Sequence, residues 1–207
     1  SITMKNVFTF LLLLFSLLCN GQSPKLFTTD KELSSSLINQ IYQDRNGFIW
    51  IATEDGLNRY DGAKFTIYKH EPANEHSLAH SFVRTVFEDS KGHLLIGTYM
   101  GVQMYDPATD NFTPLAKWED NGEIFESNIV SIIERRNGEI WISGNVLCRL
   151  NIKNNQLTVQ QINASITSPG YMIEDRKLNI WMSKGEEGLY RLDPDNRLSL
   201  YLSKDNG

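Results

Sequence analysis

The feature that most limits what this chain can fold into is that it repeats itself. Residues 41–51 recur as 86–96, 132–142 and 172–182: each copy opens on an apolar run, crosses a polar turn and returns to an apolar triplet. The turn carries Asp44 and Gly47 in the first copy and Asp89 and Gly92 in the second. The triplet is centred on Trp50, Leu95, Trp141 and Trp181, at spacings of 45, 46 and 40 residues. A second landmark follows, Gly56-Leu57-Asn58-Arg59-Tyr60-Asp61, repeated from Gly101 to Asp106 and from Gly188 to Asp193. The third copy keeps only residues 147–151, with no matching glycine. A fixed period means that one small unit buries its faces against copies of itself.

Each copy divides into four short apolar runs. In the first they are residues 37–43, 48–53, 57–60 and 65–68, broken at Asp44-Arg45-Asn46-Gly47, Glu54-Asp55-Gly56 and Asp61-Gly62. Those breaks are turn formers, and no helical periodicity competes over a long window beyond the amino-terminal segment. Four strands within such a period predict an all-β fold, a β-propeller. About four four-stranded blades are present, whereas a closed ring of seven or eight needs roughly 300 residues or more. The chain therefore reads as an incomplete seven-bladed ring. Its divisions are 37–80 (blade 1), 81–128 (blade 2 with a link), 129–168 (blade 3) and 169–207 (blade 4, truncated). Trp50, Trp141 and Trp181 are expected to fill the wedges between blades. The triplets 49–51 and 180–182 are expected on the exposed flanks of the array.

The amino end reads as a targeting segment, residues 1–21. Met4-Lys5-Asn6 gives a basic start, and residues 7–18 are apolar apart from Thr9 and Ser16. Such a run suits a signal-peptide core and falls short of the roughly 20 residues that span a bilayer. Cleavage is expected before Gln22. Acylation at Cys19 is the alternative, against which Leu18 stands where a small residue is wanted. Residues 22–36 follow as an amino-terminal segment, in which 25–29 read as a lone strand that closes the ring on the final blade. With Cys19 removed, Cys148 is alone, no internal disulfide forms, and the thiol reads as a small packed side chain. The formal charge of −5 argues against a basic nucleic-acid groove. An apolar content of 41% with only 6 prolines excludes a disordered or Pro-rich chain.

An apolar strand, Asp-x-x-Gly, an apolar residue, Trp-Ile-x-Thr and then Gly-Leu-x-x-Tyr-Asp together resemble the regulator-propeller repeat. That repeat belongs to the exported sensor half of hybrid two-component systems of gut and environmental Bacteroidota. Residues 44–60 match it nearly completely, and Ser77-Leu78 ahead of Phe82-Val83 resembles its lead-in to a blade. The resemblance runs from about residue 26 to 200. Leu95 in place of Trp, Arg135 in place of Asp, and the missing turn glycine of the fourth copy depart from it. It implies a periplasmic sensor whose later parts would include a further propeller, a membrane helix, a histidine kinase and a DNA-binding domain, acting as a homodimer. Its ligand would be an oligosaccharide from polysaccharide breakdown or another small periplasmic molecule. A secreted lyase-like propeller enzyme and a protein-interaction propeller are the competing classes.

The residues themselves advertise no catalysis, cofactor or metal. His70, His76, His80 and His93 match no closed zinc spacing and read as solvated loop residues. No Gly-x-Ser-x-Gly elbow, phosphate loop or His-Glu-x-x-His motif is present. Geometry nonetheless selects one face. In a four-stranded blade the turn between the second and third strands and the link to the next blade emerge together, and loops on a rigid scaffold are where binding concentrates. That face gathers the ligand-binding candidates Glu54, Asp55, Tyr99, Trp118, Asn145 and Lys184. Tyr99 and Trp118 would stack on a sugar ring while Glu54, Asp55 and Lys184 bond its hydroxyls.

Overall fold

A computed structural model describes residues 26, 28 and 32–203, and its strands form four sheets. The first holds β1 (Ile38–Gln43), β2 (Ile49–Thr53), β3 (Gly56–Tyr60) and β4 (Phe65–Tyr68). The second holds β5 (Val83–Glu88), β6 (Leu94–Thr98), β7 (Val102–Asp106) and β8 (Asn111–Phe112). The link that follows contains β9 (Lys117–Trp118). The third sheet holds β10 (Ser131–Glu134), β11 (Ile140–Ser143), β12 (Leu147–Lys153) and β13 (Gln156–Gln161). The fourth holds β14 (Met172–Glu174), β15 (Ile180–Lys184), β16 (Gly188–Leu192) and β17 (Leu198–Leu202). Each is an antiparallel meander in chain order, and β9 adds a fifth, parallel strand on β13. The first strands of successive sheets touch one another, so β1, β5, β10 and β14 line the axis of the array. This is the all-β propeller arc that the period predicts. The targeting segment and the lone strand at 25–29 lie outside the described residues, save Leu26 and Thr28.

Alternation along the strands decides what each sheet gives its neighbour. Trp50 turns toward the second sheet and packs with Val86, Leu94, Ile96 and Tyr105. The second and third sheets bury Leu95, Met104, Ile132, Ile142 and Cys148 between them. The third and fourth bury Trp141, Ile180, Met182 and Leu192. Trp50 and Trp141 are thus wedge fillers. Trp181 is not: it is only half-buried and meets Tyr201 edge-on, with ring centroids 4.7 Å apart. The flank expectation is corrected in the same way. Trp50, Ile180 and Met182 face inward to neighbouring sheets, because the centre of each triplet points to the following blade and its flanks to the preceding one. Cys148 is free and buried, and burial pushes its thiol up to about 12.

The turn is held by one carboxylate in three of the four repeats. Asp44 accepts the Asn46 and Phe48 amides on one oxygen and the Trp50 indole N–H on the other, at 2.7 Å. Asp175 does the same for Lys177, Asn179 and Trp181, and the indole and Asn179 donors hold its carboxyl well below the usual carboxylate range. Where Leu95 replaces the tryptophan, His93 Nδ1 takes the second oxygen of Asp89, 2.7 Å away. Where Arg135 replaces the aspartate, Asn137 caps the turn and Glu139 accepts the Trp141 indole. A second device joins sheet to sheet. Glu88, Glu134 and Glu174 end successive inner strands and accept the backbone N–H of Arg45, Ser90 and Arg136 in the preceding sheet, at 2.8, 2.7 and 2.9 Å.

Candidate functional site

The turns between second and third strands of the first two sheets are built alike. Thr53 Oγ1 donates to the Gly56 carbonyl and accepts the Asp55 amide, and Thr98 repeats both bonds with Gly101 and Met100. Gly101 sits at φ +151, and a Cβ there would meet the Phe125 carbonyl at 2.9 Å, so the turn has no room for a side chain at that position. The antiparallel register places these turns beside the starts of the inner strands. The result is a face where Glu54, Tyr99 and Asn145 are displayed on a rigid support.

The candidates divide once placed. Tyr99 is 52% exposed, and its ring lies 5.4 Å from His80 and 6.3 Å from Phe82. Glu54 is exposed on the neighbouring turn of the first sheet. Asp55 pairs with Lys69 at 2.6 Å, and Lys184 pairs with Glu187 at 2.9 Å and lies over the Tyr190 ring. That bond to Glu187 raises the Lys184 ammonium. The Asn145 backbone is fixed by Ser127 Oγ and by the Ser168 amide. Trp118 departs from the expectation: β9 carries it onto β13, the outer edge of the third sheet, where it packs edge-on against Phe125 at 4.9 Å. The link forms a strand there, so the two aromatic candidates are not brought to one stacking site.

Sequence reasoning missed Arg84. Two inner strands carry a bulge, between Ile38 and Gln40 in β1 and between Val83 and Thr85 in β5. A bulge leaves its extra residue out of the ladder and re-aims the side chain. Asn39, the first such residue, donates to the Val83 carbonyl of the next sheet at 2.8 Å. Arg84 is the second. Its guanidinium lies over Phe82, 5.3 Å from the ring centroid, which places Arg84, Phe82, Tyr99 and His80 in one row. His80 Nδ1 accepts the Phe82 amide at 2.9 Å, leaving Nε2 as the ring's donor.

The opposite face holds grooves between the sheets. In the first, Asp110 Oδ1 accepts from Arg59, Tyr68 and Tyr105, which commits the Arg59 guanidinium to a carboxylate. Burial opposes ionisation of Asp110, but these donors outweigh it and lower its pKa. The groove between the third and fourth sheets is open, about 320 Å³, yet its arginines Arg135 and Arg149 are paired with Glu174 and Glu139. Among the described residues no cluster of three or more His, Cys, Asp or Glu side chains has a metal-holding arrangement.

Residues 32–55 and 77–100 match the family described as two-component regulator propeller. Histidine kinase P4 of Formosa agariphila is 37% identical over 83 residues, which are 37% of this chain and 6% of that protein. The extracellular domain of a B. thetaiotaomicron protein described as a hybrid two-component system aligns with a TM-score of 0.71 at 18% identity, over 87% of this chain and 27% of its own. A virginiamycin B lyase of Staphylococcus aureus aligns with a TM-score of 0.58 at 18% identity, over 81% of this chain and 56% of its own. The structural likenesses are likenesses of fold. The chain spans only a small part of the length of the kinase and of the extracellular domain.

Proposed function

We propose that this chain of two-component regulator propeller repeats is ligand-sensing material of a hybrid sensor histidine kinase, displayed in the periplasm and acting by binding. The observation that carries the reading is the repeat itself: the matched segments contain β1, β2, β5 and β6 and run into the turns that build the exposed face. The histidine kinase relative and the extracellular neighbour support the same assignment. The ligand is an oligosaccharide released by polysaccharide breakdown. Tyr99 offers a ring face to stack on sugar C–H groups, and Glu54 and Asn145 offer polar groups for hydroxyls. Binding would shift the arrangement of paired sensors and so the transcription of utilisation genes, a coupling of about 1–3 kcal/mol in typical cases. The lyase likeness contributes fold and no chemistry.

The test is a thermal-shift and calorimetric screen of the chain against neutral and acidic oligosaccharides, with each mixture analysed for sugar breakdown. One class should raise the melting temperature and be recovered intact. At 100 times its Kd the ligand stabilises the fold by about 2.7 kcal/mol. A panel that leaves the melting curve unmoved, or a sugar that is cleaved, overturns the reading.

A further inference from the structure

We infer that the row Arg84, Phe82, Tyr99 and His80 recognises a carboxylate-bearing sugar ring, a uronic acid unit, with Arg84 selecting acid over neutral sugar. The inference rests on the sensing reading above and names the ligand class of the same face.

Arg84 is set off by its place, on a bulge at the start of an inner strand and over the Phe82 ring. Arg45, Arg59, Arg135 and Arg149 each meet a carboxylate within 4.0 Å and serve packing. Arg84, like Arg191, meets none among the described residues, and its Nε, like those of Arg149 and Arg191, is buried without a hydrogen-bond partner. The bulge that holds it has a counterpart in β1 whose residue, Asn39, ties one sheet to the next. Arg84 occupies the corresponding place and makes no such tie. The chain has therefore set a guanidinium at the start of an inner strand, near an exposed tyrosine, with no carboxylate partner among the described residues.

The chemistry of the row fits one kind of ligand. A guanidinium presents a planar fork that matches a carboxylate through two parallel N–H···O bonds. The Phe82 ring lies under the guanidinium, 5.3 Å from centroid to Cζ, and holding the group in place lowers the entropy lost on binding. Tyr99, half exposed, supplies a flat apolar face to the sugar ring, and His80 supplies a neutral N–H donor through Nε2. Of the acidic side chains on the same face, Asp55 and Glu187 are already paired with Lys69 and Lys184, while Glu54 stands exposed on the turn of the neighbouring first sheet.

Binding of a glucuronate-containing disaccharide and of the matched glucose disaccharide to the chain, measured by calorimetry, tests this. The acidic sugar should bind at least about tenfold more tightly than the neutral one, which is about 1.4 kcal/mol. Arg84→Gln should abolish that preference, Arg84→Lys should restore part of it, and Tyr99→Ala should weaken both sugars alike. Melting curves of each variant confirm the fold. Equal binding of the two sugars by the unaltered chain, or a preference that survives Arg84→Gln, overturns the acid-selective site and leaves sugar sensing standing. Binding of neither sugar overturns both.

Discussion

At the scale of single residues, the repeats show how one interaction is kept when its parts are exchanged. The Asp-to-indole bond of the first and fourth turns survives two different losses, through His93 in the second turn and Glu139 in the third. Substitutions also travel in cross-strand pairs. Trp50, Trp141 and Trp181 face Arg59, Arg149 and Arg191, whereas Leu95 faces Met104. An indole supports a guanidinium plane, and a leucine does not, so the partner changes with it. One loss has no such compensation. The turn position held by Gly47, Gly92 and Gly138 at φ +88, +94 and +83 is Leu178 in the fourth turn, at φ +67. A branched side chain in the left-handed region costs about 1–2 kcal/mol, against which glycine's greater unfolded freedom takes back part. Leu178 is 41% exposed and gives up little packing. Leu178→Gly should therefore stabilise the chain by roughly 0.5–1 kcal/mol in urea denaturation; an equal or lower midpoint would show that the turn carries no strain.

At the scale of elements, the strands were legible because apolar runs and turn formers coincide in every copy. The seams between sheets were less so. The glutamate that ends β5, β10 and β14 looks like an ordinary turn-flanking acid until the next sheet is in place. Only then does its reach to the preceding turn become visible. Glu134 accepts both the amide and the hydroxyl of Ser90, at 2.7 and 2.6 Å. Glu134→Ala should cost about 1 kcal/mol and speed exchange of the Ser90 amide. Gln43, at the same position in the first sheet, accepts no such amide among the described residues, so Gln43→Ala should change neither; similar losses in both variants would mean that the seam bond adds nothing. The binding face divides in the same manner. Tyr99 follows from topology, since any second-to-third turn emerges there. Trp118 was misplaced because a two-residue strand leaves no periodic trace. Arg84 was missed because a bulge is a fact of register, and register is set by the whole sheet rather than by its residues taken in turn.

At the scale of the whole molecule, a blade buries its two faces against two neighbours, and the first and fourth sheets each meet only one among the described residues. The consequence is visible on their outward sides. Ile41 and Ile67 on the first are 62% and 45% exposed, and Ile173 and Tyr201 on the fourth are 66% and 60% exposed. Cross-strand pairing sets Ile41 beside Ile51 on one flank and Ile173 beside Trp181 on the other, so each flank carries an apolar patch, continued across the sheet by Asn58 and by Arg191. Burying such patches yields about 25 cal/mol for each Å² removed from water, and soluble monomers rarely leave them open. The two flanks carry the same pattern as the seams inside the array, so association through them should grow with concentration. Sizing chromatography with light scattering should show mass rising above 23.7 kDa. Ile41→Lys combined with Ile173→Lys should return it toward the monomer with the melting temperature lowered by no more than a few degrees, because both side chains are largely in water already. A monodisperse, cooperatively melting monomer from the unaltered chain would instead mean that three seams hold four sheets without help, and that the exposed flanks do not drive association.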